Sequence, residues 1–214
     1  INFFKENGVL LNFNSNKKFW QHKNIGNEYL EDNYIFWSGK ERIKLKQQGL
    51  DSILYKDKSK KTIENTGFIS DQYKIQVQIY LDVNPLNDSV QHFSATVFDI
   101  FGTYYNLKQE LYTDCFLNIY FDICEIERRK MEQILQSKQH TISEIELVYK
   151  QTLKDIEVKT DLYLKNVQTG KNIKEMEKWN AYVKDNLSID NFKLLGLTIE
   201  PPSPLRKEVI YHNH

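Results

Sequence analysis

Residues 73–83, YKIQVQIYLDV, alternate side chains without a break. Tyr73, Ile75, Val77, Ile79, Leu81 and Val83 fall on one side, and Lys74, Gln76, Gln78, Tyr80 and Asp82 on the other. A period of two belongs to a strand and not to a helix, so the segment predicts a β-strand with one buried and one wet face. The NPLNDS stretch at 84–89 then predicts a reversal, because Pro85 and the Asn/Asp cluster favour a loop. A second run, QHFSATVFDIF at 91–101, is rich in β-branched and aromatic residues and stops at Gly102. The two runs predict a hairpin. Phe93, Ala95 and Val97 lie on one face of the second strand, Ser94, Thr96 and Phe98 on the other, and the pattern leaves open which face is inside.

Downstream the period changes. Leu107, Leu111, Cys115, Ile119 and Ile123 recur every four residues, and EIERRKMEQILQSK is strongly helix-forming, so 104–137 predicts helix. Thr141 and Glu144 have the spacing of a capping box for another helix. Within it, Ile156, Val158, Thr160, Leu162 and Leu164 alternate as in a strand, whereas Leu153, Ile156, Thr160, Leu164 and Val167 fit a helical stripe; the reading adopted turns from helix to strand near Asp155. Asn172 and Glu175 cap a short helix through Trp179, and 191–200 (NFKLLGLTIE) reads as a last strand. Pro201, Pro202 and Pro204 then leave an extended tail over 201–214. The first 37 residues, aromatic and Asn-rich, suit short strands and loops. The chain starts at Ile1 and not at Met, which reads as a fragment, a processed product or the ordered part of a longer protein.

The 29 Lys+Arg against 29 Asp+Glu cancel, which argues against a general binder of nucleic acid or anionic membrane. No apolar run approaches the ~20 residues of a membrane span. Charge is uneven along the chain, however. Between 40 and 61 eight basic residues face three acidic ones, and Lys40, Arg42, Lys44 and Lys46 form the start of a strip that could face phosphates; a solvated loop or helix face is the competing reading. A second candidate is the wet side of the first strand. Lys74, Gln76, Gln78 and Tyr80 would project together, combining a charge for phosphates with a ring for base stacking, against the plainer reading of an ordinary exposed sheet face.

Catalytic signals are few. Asp155, Glu157 and Lys159 in DIEVKT look like the acidic-x-Lys half of a PD-(D/E)xK nuclease, with Asp122 as the one candidate for the second carboxylate. The terminal His212, Asn213 and His214 spell HNH without the dispersed spacing that such a nuclease needs. Cys115 and Cys124 sit in apolar surroundings and read as buried thiols, and His92 and His140 as structural. No phosphate-cradling glycine loop or nucleophile elbow occurs. The expectation is therefore a protein that is not an enzyme and needs no cofactor or metal.

The hairpin YKIQVQIYLDVNPLNDSVQHFSATVFDIFG, followed by helices and then by KWNAYVKDNLSIDNFKLLGLTIEP, resembles the C-terminal OB domains of telomere end-binding proteins and of the replication protein A large subunit. The resemblance covers about a quarter of the chain. It implies an α+β fold: an OB-like antiparallel β-barrel over 1–200 with a helix-rich insertion at about 104–168 and a C-terminal extension, in which 73–83 and 92–101 are central strands and 191–200 closes the barrel. Two departures stand out. The helical section is longer than a single OB helix, and the four cysteines of the replication protein A zinc ribbon are absent. The resemblance implies a nuclear subunit of a single-stranded-DNA or telomere-maintenance complex, comparable to the large subunit of the CST complex. Given the zero net charge, its main task would be to dock partner subunits, with secondary single-stranded DNA contact through Lys74 to Tyr80 and the basic strip, and with no membrane partner. The alternatives are a structural accessory subunit of an organellar, for example mitochondrial, assembly, and the nuclease.

Overall fold

The structure, a computed structural model, describes residues 34–45, 73–86, 89–100, 102–105 and 107–197. The predicted hairpin is present. Strand β3 (Val77–Leu86) pairs antiparallel with β4 (Ser89–Asp99) in register from Val77↔Phe98 to Leu86↔Ser89. The ladder takes in Asn84 and Pro85, for which the sequence predicts a loop, and runs on to Leu86↔Ser89. Pro85 is tolerated because β3 is an edge strand among the described residues: β1 (Tyr34–Phe36) lies on the far side of β4, in the order β1-β4-β3.

The beginning of the predicted strand behaves differently. β2 (Tyr73–Lys74) is separate from β3 and pairs with β5 (Tyr104–Tyr105). The cause is a turn after β4. Asp99 Oδ1 accepts from the Gly102 N–H at 2.7 Å, Thr103 Oγ1 accepts from the Gln76 N–H at 3.0 Å, and Gly102 leaves no room for a Cβ beside Gln76 Oε1.

Residues directly opposite one another share a sheet face. Val77, Ile79, Leu81 and Val83 therefore stand with Phe98, Thr96, Ser94 and His92, facing helix α1 (Thr113–Gln136). The other face was expected to be wet, and it is not. Tyr80, Asp82, Tyr34, Val97 and Asp99 are all buried there. Polar residues can occupy it because they are paired: Gln78 Nε2 donates to Asp99 Oδ2 at 2.9 Å, and Tyr80 meets Tyr34 edge to face at 6.1 Å. Alternation of polarity thus marks the strand correctly but overstates the exposure of its polar face.

Helix α1 is shorter than predicted. Leu107 precedes it, Tyr104 and Tyr105 are strand, and Leu111, at 72% exposed, lies outside the core. From Cys115 to Leu135 its apolar residues are buried nearly all round, as in a helix that runs through the middle of a structure. Helix α2 (Ile142–Val167) starts with the predicted capping box, in which Thr141 accepts from the Glu144 N–H and Glu144 accepts from the Thr141 N–H. The strand expected after Asp155 is helix instead. Ile145, Tyr149, Thr152, Thr160, Tyr163 and Val167 form a buried stripe at helical spacing, and Val158 and Leu162 lie on the opposite face, so the apparent alternation mixes two faces of one helix. Tyr163 is the pivot of this layer. It stacks on Phe116 at 5.6 Å, meets Trp179 edge-on at 5.5 Å, and donates its hydroxyl proton to the Phe116 carbonyl at 2.8 Å.

A 3-10 turn (Gln168–Gly170), with three successive positive φ values ending in Gly170 at 90°, leads to α3 (Ile173–Leu187). Asn172 caps α3 as predicted, but the helix continues two turns beyond Trp179. The last predicted strand is also a correction. Asp190 caps a short helix, α4 (Asn191–Leu194), which buries Asn191 and Phe192; residues 198–200 and the tail lie outside the described residues. The architecture is mixed α+β, and among the described residues the strands form an open three-stranded layer and a separate two-stranded sheet, with no closed barrel.

Thr141→Ala removes the hydroxyl acceptor of the α2 cap and is expected to lower stability by about 1 kcal/mol in urea unfolding, with Thr141→Ser close to the parent protein.

Candidate functional site

The predicted nucleic-acid residues do not form one surface. Lys74 is exposed on β2, Gln76 sits half-buried at the bend before β3, and Gln78 is engaged by Asp99. Tyr80 is only 2% exposed, so its ring cannot stack on a base as expected. Lys40 and Lys44 are exposed, but Arg42 between them is turned inward, and Lys46 lies outside the described residues. The physical reason for the inward turn is a set of acceptors on α1.

Asp114, Asn118 and Asp122 follow one another at intervals of four, one position before Cys115, Ile119 and Ile123, and so line a single edge of the helix. Each one takes hold of the segment that leaves β1. Asp114 accepts from the Leu45 N–H at 3.0 Å. Asn118 clamps Ile43 at both ends of its backbone, accepting from the N–H and donating to the carbonyl, each at 2.8 Å. Asp122 receives the Arg42 guanidinium at 2.6 Å, the Trp37 indole N–H at 2.8 Å and the Asn191 amide at 2.7 Å. The Arg42 side chain is 4% exposed and that of Asp122 is fully buried. Desolvation holds the Asp122 carboxyl above its ordinary value, and Arg42, Asn191 and Trp37 oppose that rise without cancelling it. One carboxylate therefore joins the chain after β1, α1 and α4.

Two further polar seams run along α1. Toward the sheet, Glu125 accepts from Thr96 at 2.7 Å and from Arg128 and Arg129 at 2.8 Å, while Glu132 accepts from Ser94 and pairs with His92 at 3.0 Å. These donors hold both carboxyl groups below the usual carboxylate range in spite of burial. Toward the outer helices, Glu127 receives Lys159 at 2.6 Å and Lys130 at 2.9 Å, and Lys159 also donates to the Tyr182 hydroxyl at 2.7 Å.

These seams place the nuclease candidates. Asp155 and Glu157 are exposed on α2, two residues apart and hence on different sides of a helix, whereas Lys159 turns inward to Glu127 and Asp122 is held by Arg42. Among the described residues no group of three or more His, Cys, Asp or Glu is arranged to hold a metal ion. Both cysteines are buried, and burial pushes the Cys115 thiol up to about 12 and raises that of Cys124 as well. His140 lies near the α1–α2 connection, with Nε2 3.0 Å from the Ile134 carbonyl oxygen.

The surface feature that sequence reasoning passed over is the outer side of α2. Leu147 is 67% exposed, Val158 68% and Leu162 49%. At about 100° per residue these three fall within about 60° of one another, directly opposite the buried stripe. With Leu153, α2 carries four of the seven large apolar side chains that are exposed among the described residues. A second hydrophobic period inside the Thr141 helix was the available signal, and the strand reading concealed it. Among the described residues no helix is long and apolar enough to cross a membrane. The chain matches no protein-family model, no curated protein and no solved structure.

Asp122→Asn leaves the Arg42 guanidinium buried without its counter-charge, and Arg42→Met does the converse; each is expected to cost about 3–5 kcal/mol in urea unfolding. The combined Arg42→Met/Asp122→Asn protein is expected to regain a large part of the summed loss, and strictly additive losses would contradict the coupling.

Proposed function

We propose that the protein is a non-catalytic assembly module that makes protein–protein contact through the outer face of α2. The observation that carries this reading is the concentration of exposed apolar side chains on one rigid helix whose other face is fully committed to the core. The support beneath that face is stiff. Tyr149 donates to the Ile79 carbonyl at 3.0 Å, and Lys159 and Tyr163 tie α2 to α1, so a partner would meet a preformed surface. The reading needs the hairpin and the helices, and does not need a closed barrel. Within a nucleoprotein complex of the kind the OB resemblance implies, any single-stranded DNA contact falls to the exposed Lys40, Lys44 and Lys74.

The test is the hydrodynamic size of the tagged protein in extracts of cells expressing it, compared with a Val158→Glu variant. The parent protein is expected to sediment well above its 25.5 kDa chain mass and the variant to shift toward it, with the same circular-dichroism melting curve. Sedimentation of the parent protein as a single chain, or an unshifted variant, would overturn the proposal.

A further inference from the structure

The charges beside the apolar stripe of α2 are not scattered evenly. At about 100° per residue, Lys150, Lys154, Glu157 and Asp161 all lie along one flank of the Leu147–Val158 line. All four are exposed. Both cations sit in the N-terminal half of this flank and both anions in the C-terminal half. Such a flank is complementary to the same flank of a copy running in the opposite direction.

We propose that the outer face of α2 pairs with the same face of a second copy of this chain, antiparallel, about a two-fold axis that crosses the helix near Asp155 and Ile156. This rests on the assembly reading above and names its partner. A two-fold axis perpendicular to two facing helices brings like flank against like flank with the sequence reversed. In that register Lys154 comes level with Glu157 of the second copy and Lys150 with Asp161 of the second copy, and symmetry repeats each pair. Leu147 comes within about half a turn of Leu162 of the second copy at each end. Val158 meets Gln151 and the aliphatic stem of Lys154 near the centre. Lys150 is also held by Glu146 at 2.6 Å within the chain, and Lys165 comes level with Glu146 of the second copy toward the helix ends.

The helix is 26 residues long, about 39 Å at 1.5 Å per residue. One such helix against another buries on the order of 1,000 Å², at the low end for specific interfaces, so the dimer dissociates on dilution. The exposed ion pairs add little affinity individually, and their effect is to fix the register of the antiparallel pair.

Sedimentation equilibrium of the purified full chain across a range of concentrations tests the pairing. The mass is expected to rise toward twice 25.5 kDa with concentration. Lys154→Glu alone and Glu157→Lys alone are each expected to weaken association about tenfold, and the combined swap to restore it. Orientation is tested by oxidising an equimolar mixture of Leu147→Cys and Leu162→Cys chains. A crosslink between the two different variants, with little in either alone, supports the antiparallel arrangement. A monomeric mass at every concentration, a dimer indifferent to the charge swap, or crosslinking of each variant to itself would overturn it. If the purified chain is monomeric while the Val158-dependent large species persists in extracts, the self-pairing fails and the assembly reading stands; a monomer in both settings removes both.

Discussion

The fully buried Asp122 carboxylate is the constraint around which the helical layer and the strand segment are organised. An ionised carboxylate taken out of water costs several kcal/mol even after relaxation, and one hydrogen bond does not offset it. Here the compensation comes from three directions: the Arg42 guanidinium from the chain after β1, the Trp37 indole from the end of that strand, and the Asn191 amide from the start of α4. Removing any one leaves the others facing an under-compensated charge. The local consequence is that residues 37–45 do not stray over the surface. They are drawn along α1, with Ile43 and Leu45 inserted into the core and their backbone groups satisfied by Asn118 and Asp114.

Much of this was written in the sequence in a form that was easy to read one way. The hairpin and the two helix caps at Thr141 and Asn172 were legible, because each depends on chemistry within a few residues: side-chain alternation, a short reversal, and a hydroxyl or amide placed before an acid. The wet face was not, because Gln78 and Tyr80 find their partners on other strands, and no local pattern states that. The strand expected after Asp155 came from adding two apolar stripes of one helix into a false period of two. Arg42 was placed in a basic strip because its neighbours are lysines. Its counter-charge lies 80 residues away on α1, and only the spacing of Asp114, Asn118 and Asp122 hinted that this edge of the helix collects donors.

Sheet, central helix and outer helices together hold in place the α2 face to which the assembly role is proposed. Its inner face is spent on Ile145, Tyr149, Tyr163 and Val167, its ends are fixed by the Thr141 box and the Gln168–Gly170 turn, and Lys159 locks its middle to Glu127. A helix so constrained loses little further freedom on binding, which favours recognition through the modest apolar area that it exposes. The zero net charge of the chain fits contact with protein better than a grip on phosphates.

The polar cluster can be observed without changing it. Of the three tryptophans, Trp37 alone donates its indole N–H to the buried carboxylate among the described residues, and a Trp37→Phe spectrum assigns that proton in a nitrogen-resolved NMR spectrum. Exchange of the Trp37 indole proton with solvent is the most direct measurement of the account. It should be as slow as that of the core amides of α1 and should accelerate when Asn191 is replaced by alanine. An indole proton that exchanges as freely as one in water, while the α1 amides remain protected, would contradict it.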